Sequence, residues 1–423
     1  MLSGKALQNI VVRICLVAAM LVCIYAVLRR GMGAWYFQQK SPQAIQKAIR
    51  WDPCNAEYYD ALATLRHLYA DNENPGEQVQ LYLHATSFSP QNAHFWTDLG
   101  MAYDWAGNRN EAMRAFAQAI ELSPNSPDIN WKFANFCVRT GKTSEGLQAL
   151  GKVLIGGTVP REDVFALAEM ATRDENAILK EAVPPEAPIL FDYLNYQAKT
   201  GDMTGAKQVW DRLLALTSPF DLRMTFFYLD TLIHKRETEQ LADAWSAIGK
   251  RFPEKVASLN APPNLVANGG FESDILNGGL DWRVVPLDGA RVSMDSEEAF
   301  EGKRSVRVDF DGTQNLDYGH LFHYVLVRPN TRYRFSGYMR AAGITTDSGP
   351  RFQVFDLYDA GKESFATENV IGTSAWAEQR LEFKTAADTR LLLIRIARPP
   401  SGKFDNKIAG TVWIDGVRLT QED

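Results

Sequence analysis

Asn92 to Pro124 reads NAHFWTDLGMAYDWAGNRNEAMRAFAQAIELSP. Trp96, Leu99, Gly100 and Tyr103 recur at helical spacing, and Ala112, Phe116 and Ala119 do so again before Pro124. The pattern predicts two antiparallel helices. Gly100 and Ala112 are small where the helices cross closely, and Trp96, Leu99, Tyr103 and Phe116 fill the space between them. Pro124 ends the second helix because it cannot continue the hydrogen-bond ladder.

The same signs recur along the chain. Tyr59, Leu62 and Ala63 take the places of Trp96, Leu99 and Gly100, and Tyr82, Ala85 and Pro90 those of Phe116, Ala119 and Pro124. Asp71-Asn-Glu-Asn74 reads as a lengthened turn between them. Ile45, Ala48 and Pro53 look like the second helix of a degenerate unit. Phe133, Ala134, Cys137, Gly146 and Leu150 form another unit, and Leu190, Tyr193, Gly201, Ala206, Trp210 and Leu213 a later one. Gly156 to Pro160 and Pro184-Pro185 interrupt the series. A repeat of this period with these residues resembles the tetratricopeptide family. The resemblance implies an α-solenoid over residues 40–255. Such arrays build a concave groove that binds peptides or protein partners; a mere spacer is the plainer alternative. No Lys, Arg and Asn clamp for a peptide carboxylate lines up across the repeats.

The 423 residues carry a net charge of −6 and are 46% hydrophobic and 23% charged, which suits a folded chain of two or three domains. A nucleic-acid-binding domain is expected to be strongly basic, so that partner class is excluded. The four cysteines contain no Cys-x-x-Cys pair and suggest no zinc ribbon. Cys54 and Cys137 read as small core residues, with a disulfide as the alternative.

After a short tail over 1–9, Ile10 to Leu28 reads IVVRICLVAAMLVCIYAVL, with Arg13 as its one charge. At about 1.5 Å per residue it spans roughly 28 Å, close to the thickness of a bilayer core. No small-x-small cleavage site follows, which favours a single-pass anchor over a cleaved signal. Trp35 and Tyr36 fit an aromatic belt at the interface. The count of positive charges slightly favours a cytoplasmic C-terminal side.

Beyond Pro262-Pro263 the periodicity changes to two. Val306, Val308 and Phe310 alternate with Ser305, Arg307 and Asp309, Tyr333, Phe335 and Met339 with Arg332, Arg334, Tyr338 and Arg340, and Leu392, Ile394 and Ile396 with Leu391, Leu393 and Arg395, between Gly, Pro, Asn and Asp turns. This predicts an antiparallel β-sandwich over 263–421, a jelly roll of eight to ten strands. The chain is thus multidomain, α then β.

Asn264-Leu-Val-Ala-Asn-Gly-Gly-Phe-Glu272, Trp282, Val327 to Tyr338, Trp376 and Trp413-Ile-Asp-Gly-Val-Arg-Leu419 resemble the opening, central and closing segments of carbohydrate-binding modules of the family 4/9/22 type. The resemblance implies a galactose-binding-like fold. It also implies a structural calcium ion, with Glu272 and Asp415 as ligands and Glu301 in the Glu297–Lys303 loop as a third; the alternative is that Glu272 and Asp415 cap turns. No other cofactor is implied. Sugar recognition needs aromatic faces and planar polar groups. Tyr324, Tyr338, Arg340 and Tyr358 carry the parity opposite the core and are the carbohydrate-binding candidates. Alternatively they cover a second sheet face or meet the helical domain.

No catalytic motif survives. Gly141-Lys-Thr143 lacks the first glycine of a phosphate loop, Asp309-x-Asp311-Gly312 misses the EF-hand spacing, and His320 and His323 face opposite sides of a strand. The expected function is that of a membrane-anchored, non-catalytic scaffold of the cell envelope. Its array docks a protein and its sandwich holds glycan, in assembly or export of a surface polysaccharide. Such a role places the C-terminal domains in the periplasm or otherwise outside the cytoplasm. The alternative is an adaptor in a membrane complex whose sandwich binds no sugar; a glycan-active enzyme ranks third.

Overall fold

The computed structural model describes residues 4–69, 74–256, 263–361 and 364–422. Residues 1–3 of the tail, Asp71 to Glu73 of the lengthened turn and Pro262 of the boundary lie outside them. The chain forms two compact units, Met1–Tyr196 with Thr204–Val209, and Gln197–Met203 with Trp210–Asp423.

In the first unit, α1 (Gly4–Phe37) carries the apolar run without a break into the array. Its last turns pack against α2 (Pro42–Trp51): Tyr36 and Phe37 join Ile45 and Ala48. Tyr36 therefore serves the first helix pair, while Trp35 stays exposed. Pairs follow as α3 (Ala56–Tyr69) with α4 (Pro75–Phe88), α5 (Ala93–Trp105) with α6 (Arg109–Leu122), and α7 (Pro127–Thr140) with α8 (Thr143–Gly156). Helices α9 (Arg161–Ala171), α10 (Glu175–Ala177), α11 (Ala187–Thr200) and α12 (Met203–Leu214) come next.

The α5–α6 pair is built as its spacing predicts. Leu99, Ala112, Phe116 and Ala119 are buried, and a Cβ on Gly100 would meet the Phe116 ring at 3.0 Å. Trp96 also donates its indole N–H to the Pro90 carbonyl at 2.8 Å. Tyr59 does the same to Pro53 at 2.9 Å, and Asn130 to Pro124 at 3.1 Å. One donor per repeat thus reaches back six residues to a proline carbonyl at the preceding turn. Cys54 is exposed, Cys137 is buried, and both are free thiols.

The second unit begins with helical chain and ends in the sandwich. Helices α13 (Phe226–Lys235), α14 (Thr238–Arg251) and α15 (Pro253–Val256) precede ten strands among the described residues. These are β1 (Arg283–Val284), β2 (Ala290–Asp295), β3 (Ser305–Asp311), β4 (Tyr318–Leu326), β5 (Arg332–Ile344), β6 (Arg351–Asp356), β7 (Ser364–Ala366), β8 (Gly372–Lys384), β9 (Leu391–Arg398) and β10 (Ala409–Glu422). They pair antiparallel in two sheets, β1-β4-β9-β6-β7 and β2-β3-β10-β5-β8. Val306, Val308, Phe310, Phe335, Met339, Ile394 and Ile396 fill the space between the sheets, with Trp282 wholly buried among them. The opening motif is tied to the closing strand. Asn264 Oδ1 accepts the N–H of Leu419 at 2.9 Å, and the Gly269 carbonyl accepts that of Val417 at 2.8 Å.

Candidate functional site

The first unit holds a cavity of about 460 Å³ lined by Tyr82, Met101, Trp105, Phe116, Trp131 and Lys132 among others. Trp105 is 48% exposed and Met101 44%, so an apolar strip faces solvent here. Such strips mark docking surfaces. Lys132 bridges Asp98 at 3.7 Å and Asp128 at 3.4 Å. Burial and the neighbouring Asp98 push the Asp60 carboxyl up to about 7.

In the sandwich the four carbohydrate candidates do not converge. Tyr324 lies on β4 and Tyr358 just past β6, in the β1-β4-β9-β6-β7 sheet; Tyr338 and Arg340 lie on β5, in the other sheet. The two pairs therefore sit on opposite outer faces of the sandwich and cannot touch one ligand. Tyr324, Tyr338 and Arg340 stand on strands and point out of the core, whereas Tyr358 lies in the turn after β6 and not on a strand; parity does not say which sheet a strand joins.

Tyr324 and Tyr358 meet helix α13, the plainer of the two expectations. The Tyr358 hydroxyl donates to the Ile233 carbonyl at 2.7 Å, and the Arg236 guanidinium lies 4.9 Å from its ring centre. Arg283 on β1 sits 5.1 Å from the Tyr324 ring and pairs with Asp230 of α13. Phe226 and Trp245 press on Gly278 and Gly279 so closely that a Cβ would fall 2.1 and 2.4 Å from their rings. These contacts explain why the compact units divide within the helices rather than at the change from helix to strand.

On the opposite face Tyr338 is stacked on Phe300, with ring centres 3.5 Å apart and planes 13° from parallel. Trp376 on β8 lies 6.0 Å from Phe300. Arg340 pairs with Glu298 and lies 5.3 Å from the Trp413 ring, which Arg307 approaches at 5.5 Å. Trp413 donates its indole N–H to Asp295 at 2.8 Å. Phe300 was missed in the sequence; the available signal was an aromatic inside an otherwise polar loop.

The implied calcium ligands do not fit a cation. Asp415 Oδ2 accepts the N–H groups of Phe300 at 2.8 Å and Glu301 at 3.0 Å, and its Oδ1 that of Gly416 at 2.7 Å. Glu272 Oε1 accepts those of Lys303 and Arg304 at 2.8 and 3.1 Å. Glu301 pairs with Arg418. These oxygens are turned toward donors, and among the described residues no three His, Cys, Asp or Glu side chains are placed to hold a metal. Asp415 and Glu272 cap the 297–304 loop here, and Glu301 is held in its ion pair with Arg418. Burial holds the Asp415 carboxyl up at about 6 against those three N–H bonds.

A tetratricopeptide repeat family model matches residues 93–126, and a carbohydrate binding domain model matches residues 263–402. This chain joins a tetratricopeptide repeat to a carbohydrate-binding domain. Both are non-catalytic domain types. A curated relative, the formate-dependent nitrite reductase complex subunit NrfG of Escherichia coli O157:H7, is 29% identical over 80 residues. That match takes 19% of this chain and spans 40% of the relative's length. A solved family 4 carbohydrate-binding module is 16% identical, with 37% of this chain and 99% of that one covered, at a TM-score of 0.29. The MamA protein is 16% identical, with 42% and 95% covered, at a TM-score of 0.32. The two domain types support a binding or scaffold role.

Proposed function

We propose that this chain is a membrane-tethered scaffold of the cell envelope, whose array docks a protein partner and whose sandwich holds glycan during assembly or export of a surface polysaccharide. The observation that carries the reading is the presence, in one chain, of a groove exposing Met101 and Trp105 and a domain that matches a carbohydrate-binding family. The tether is α1, whose Ile14, Leu16, Val22 and Val27 are each more than half exposed. In water so large an apolar shaft is costly at about 25 cal/mol per Å², and a bilayer removes that cost. A sugar-binding module is useful outside the cytoplasm, which places the C-terminal part there. The NrfG relative is by its name a subunit of a complex, which agrees with docking.

The test is co-purification of the full chain from membranes in detergent. A partner captured by the wild type and lost by Trp105→Ala supports groove docking; a partner retained by that variant refutes it. A second reading, an adaptor whose sandwich binds no sugar, is favoured by the contacts that Tyr324 and Tyr358 make with α13. It predicts that the full chain binds no polysaccharide.

A further inference from the structure

We propose that Phe300, Tyr338 and Trp376 form a stacking ledge for a neutral pyranose ring on the outer face of the β2-β3-β10-β5-β8 sheet. This rests on the glycan reading of the sandwich and locates the site within it. Tyr338 covers one face of Phe300, and Phe300 remains 41% exposed, so its second face is offered outward. Trp376, tilted 56° to it, makes a side wall. Rings so arranged suit the apolar face of a sugar, and planar polar groups at the edge suit its hydroxyls.

The ledge is mounted rigidly. Asp415 holds the backbone N–H groups of Phe300 and Glu301, and Glu272 those of Lys303 and Arg304. Between them Gly302 has φ +69°, and a Cβ there would fall 2.2 Å from Glu272. The carboxylates are thus positioning residues for the aromatic ring. A preorganised ring loses little entropy when it binds.

Charge decides the ligand class. Arg340 is paired with Glu298, Arg380 with Glu378 and Arg418 with Glu301. The three arginines around the ledge are each paired with a carboxylate, so an incoming sugar meets donors and acceptors side by side. An anionic sugar would have to displace a carboxylate, whereas neutral hydroxyls bond both partners. On the other sheet, Tyr324 and Tyr358 are engaged with the α13 segment.

The experiment is affinity electrophoresis of the full chain in detergent, through gels containing xylan, β-glucan or mannan as neutral probes and alginate as an anionic one. The wild type should be retarded by at least one neutral probe and not by alginate. Phe300→Ala and Trp376→Ala should each weaken that binding about tenfold or more while melting as the wild type does, as expected for anchors at a small site. If Phe300→Ala melts early, Trp376→Ala alone decides. A wild type that binds a neutral glycan while both variants bind equally well overturns the ledge and leaves the glycan reading standing. Retardation by alginate alone overturns the neutral class, and binding to no probe overturns both the ledge and the glycan reading.

Discussion

The hydroxyl of Tyr358 donates to the backbone carbonyl of Ile233 at 2.7 Å, across 125 positions of sequence. Alongside it Asp230 pairs with Arg283, whose side chain is only 13% exposed. The α13 segment is therefore part of the sandwich's folding unit. Asp230→Ala leaves the guanidinium without its carboxylate and is expected to cost about 2–3 kcal/mol; Tyr358→Phe removes one hydrogen bond and costs about 1 kcal/mol. Urea unfolding of the full chain, followed by Trp282 and the other sandwich tryptophans, measures both. An unchanged midpoint in Asp230→Ala would detach α13 from the unit.

In the first unit, Gly100 lies against the Phe116 ring, with 3.0 Å to where a Cβ would stand. Gly100→Leu should overpack this crossing by about 1–3 kcal/mol or more, and Gly100→Ala by less, because one methyl needs a shift of only tenths of an ångström. Thermal melting of the two variants ranks them. Equal melting of Gly100→Leu and the wild type contradicts the helix pairing.

Protonation offers a separate check. Asp60 is held up at about 7 by burial and Asp98, against 3.8 for an ordinary carboxyl. Asp98 is raised as well, chiefly by burial. A raised carboxyl favours the folded state while protonated, so this stabilisation is complete below pH 3.8 and is lost as pH rises through about 7. The array should therefore melt at lower temperature at pH 8 than at pH 5, and Asp60→Asn should flatten the difference. Identical pH profiles for the two proteins would show that Asp60 ionises as an ordinary carboxyl.

Asp415 anchors the 297–304 loop through the backbone N–H groups of Phe300 and Glu301, and it also accepts that of its neighbour Gly416. Asp415→Ala strands those donors and is expected to cost about 3 kcal/mol. Chelation should leave the melting of the wild type unchanged, since these oxygens face donors rather than one cation. A lower melting temperature in EDTA, restored by calcium and absent in Asp415→Ala, would reinstate the cation.

The sequence by itself determined the repeat and the core. Trp96 through Pro124 make a helix pair whose partners lie within one repeat, so their spacing carries the packing information. Val306, Val308 and Phe310, like Leu392, Ile394 and Ile396, are buried as their alternation implies, because a strand's period of two is a local property. Parity likewise turned Tyr324, Tyr338 and Arg340 outward. What lies over an outward face is not a local property. Only the tertiary structure placed Phe300 on Tyr338, brought Ile233 to Tyr358, and spent Asp415 on a loop some 115 positions away. These contacts join distant segments through sheet order and loop path, and neither is encoded in the spacing of neighbouring residues.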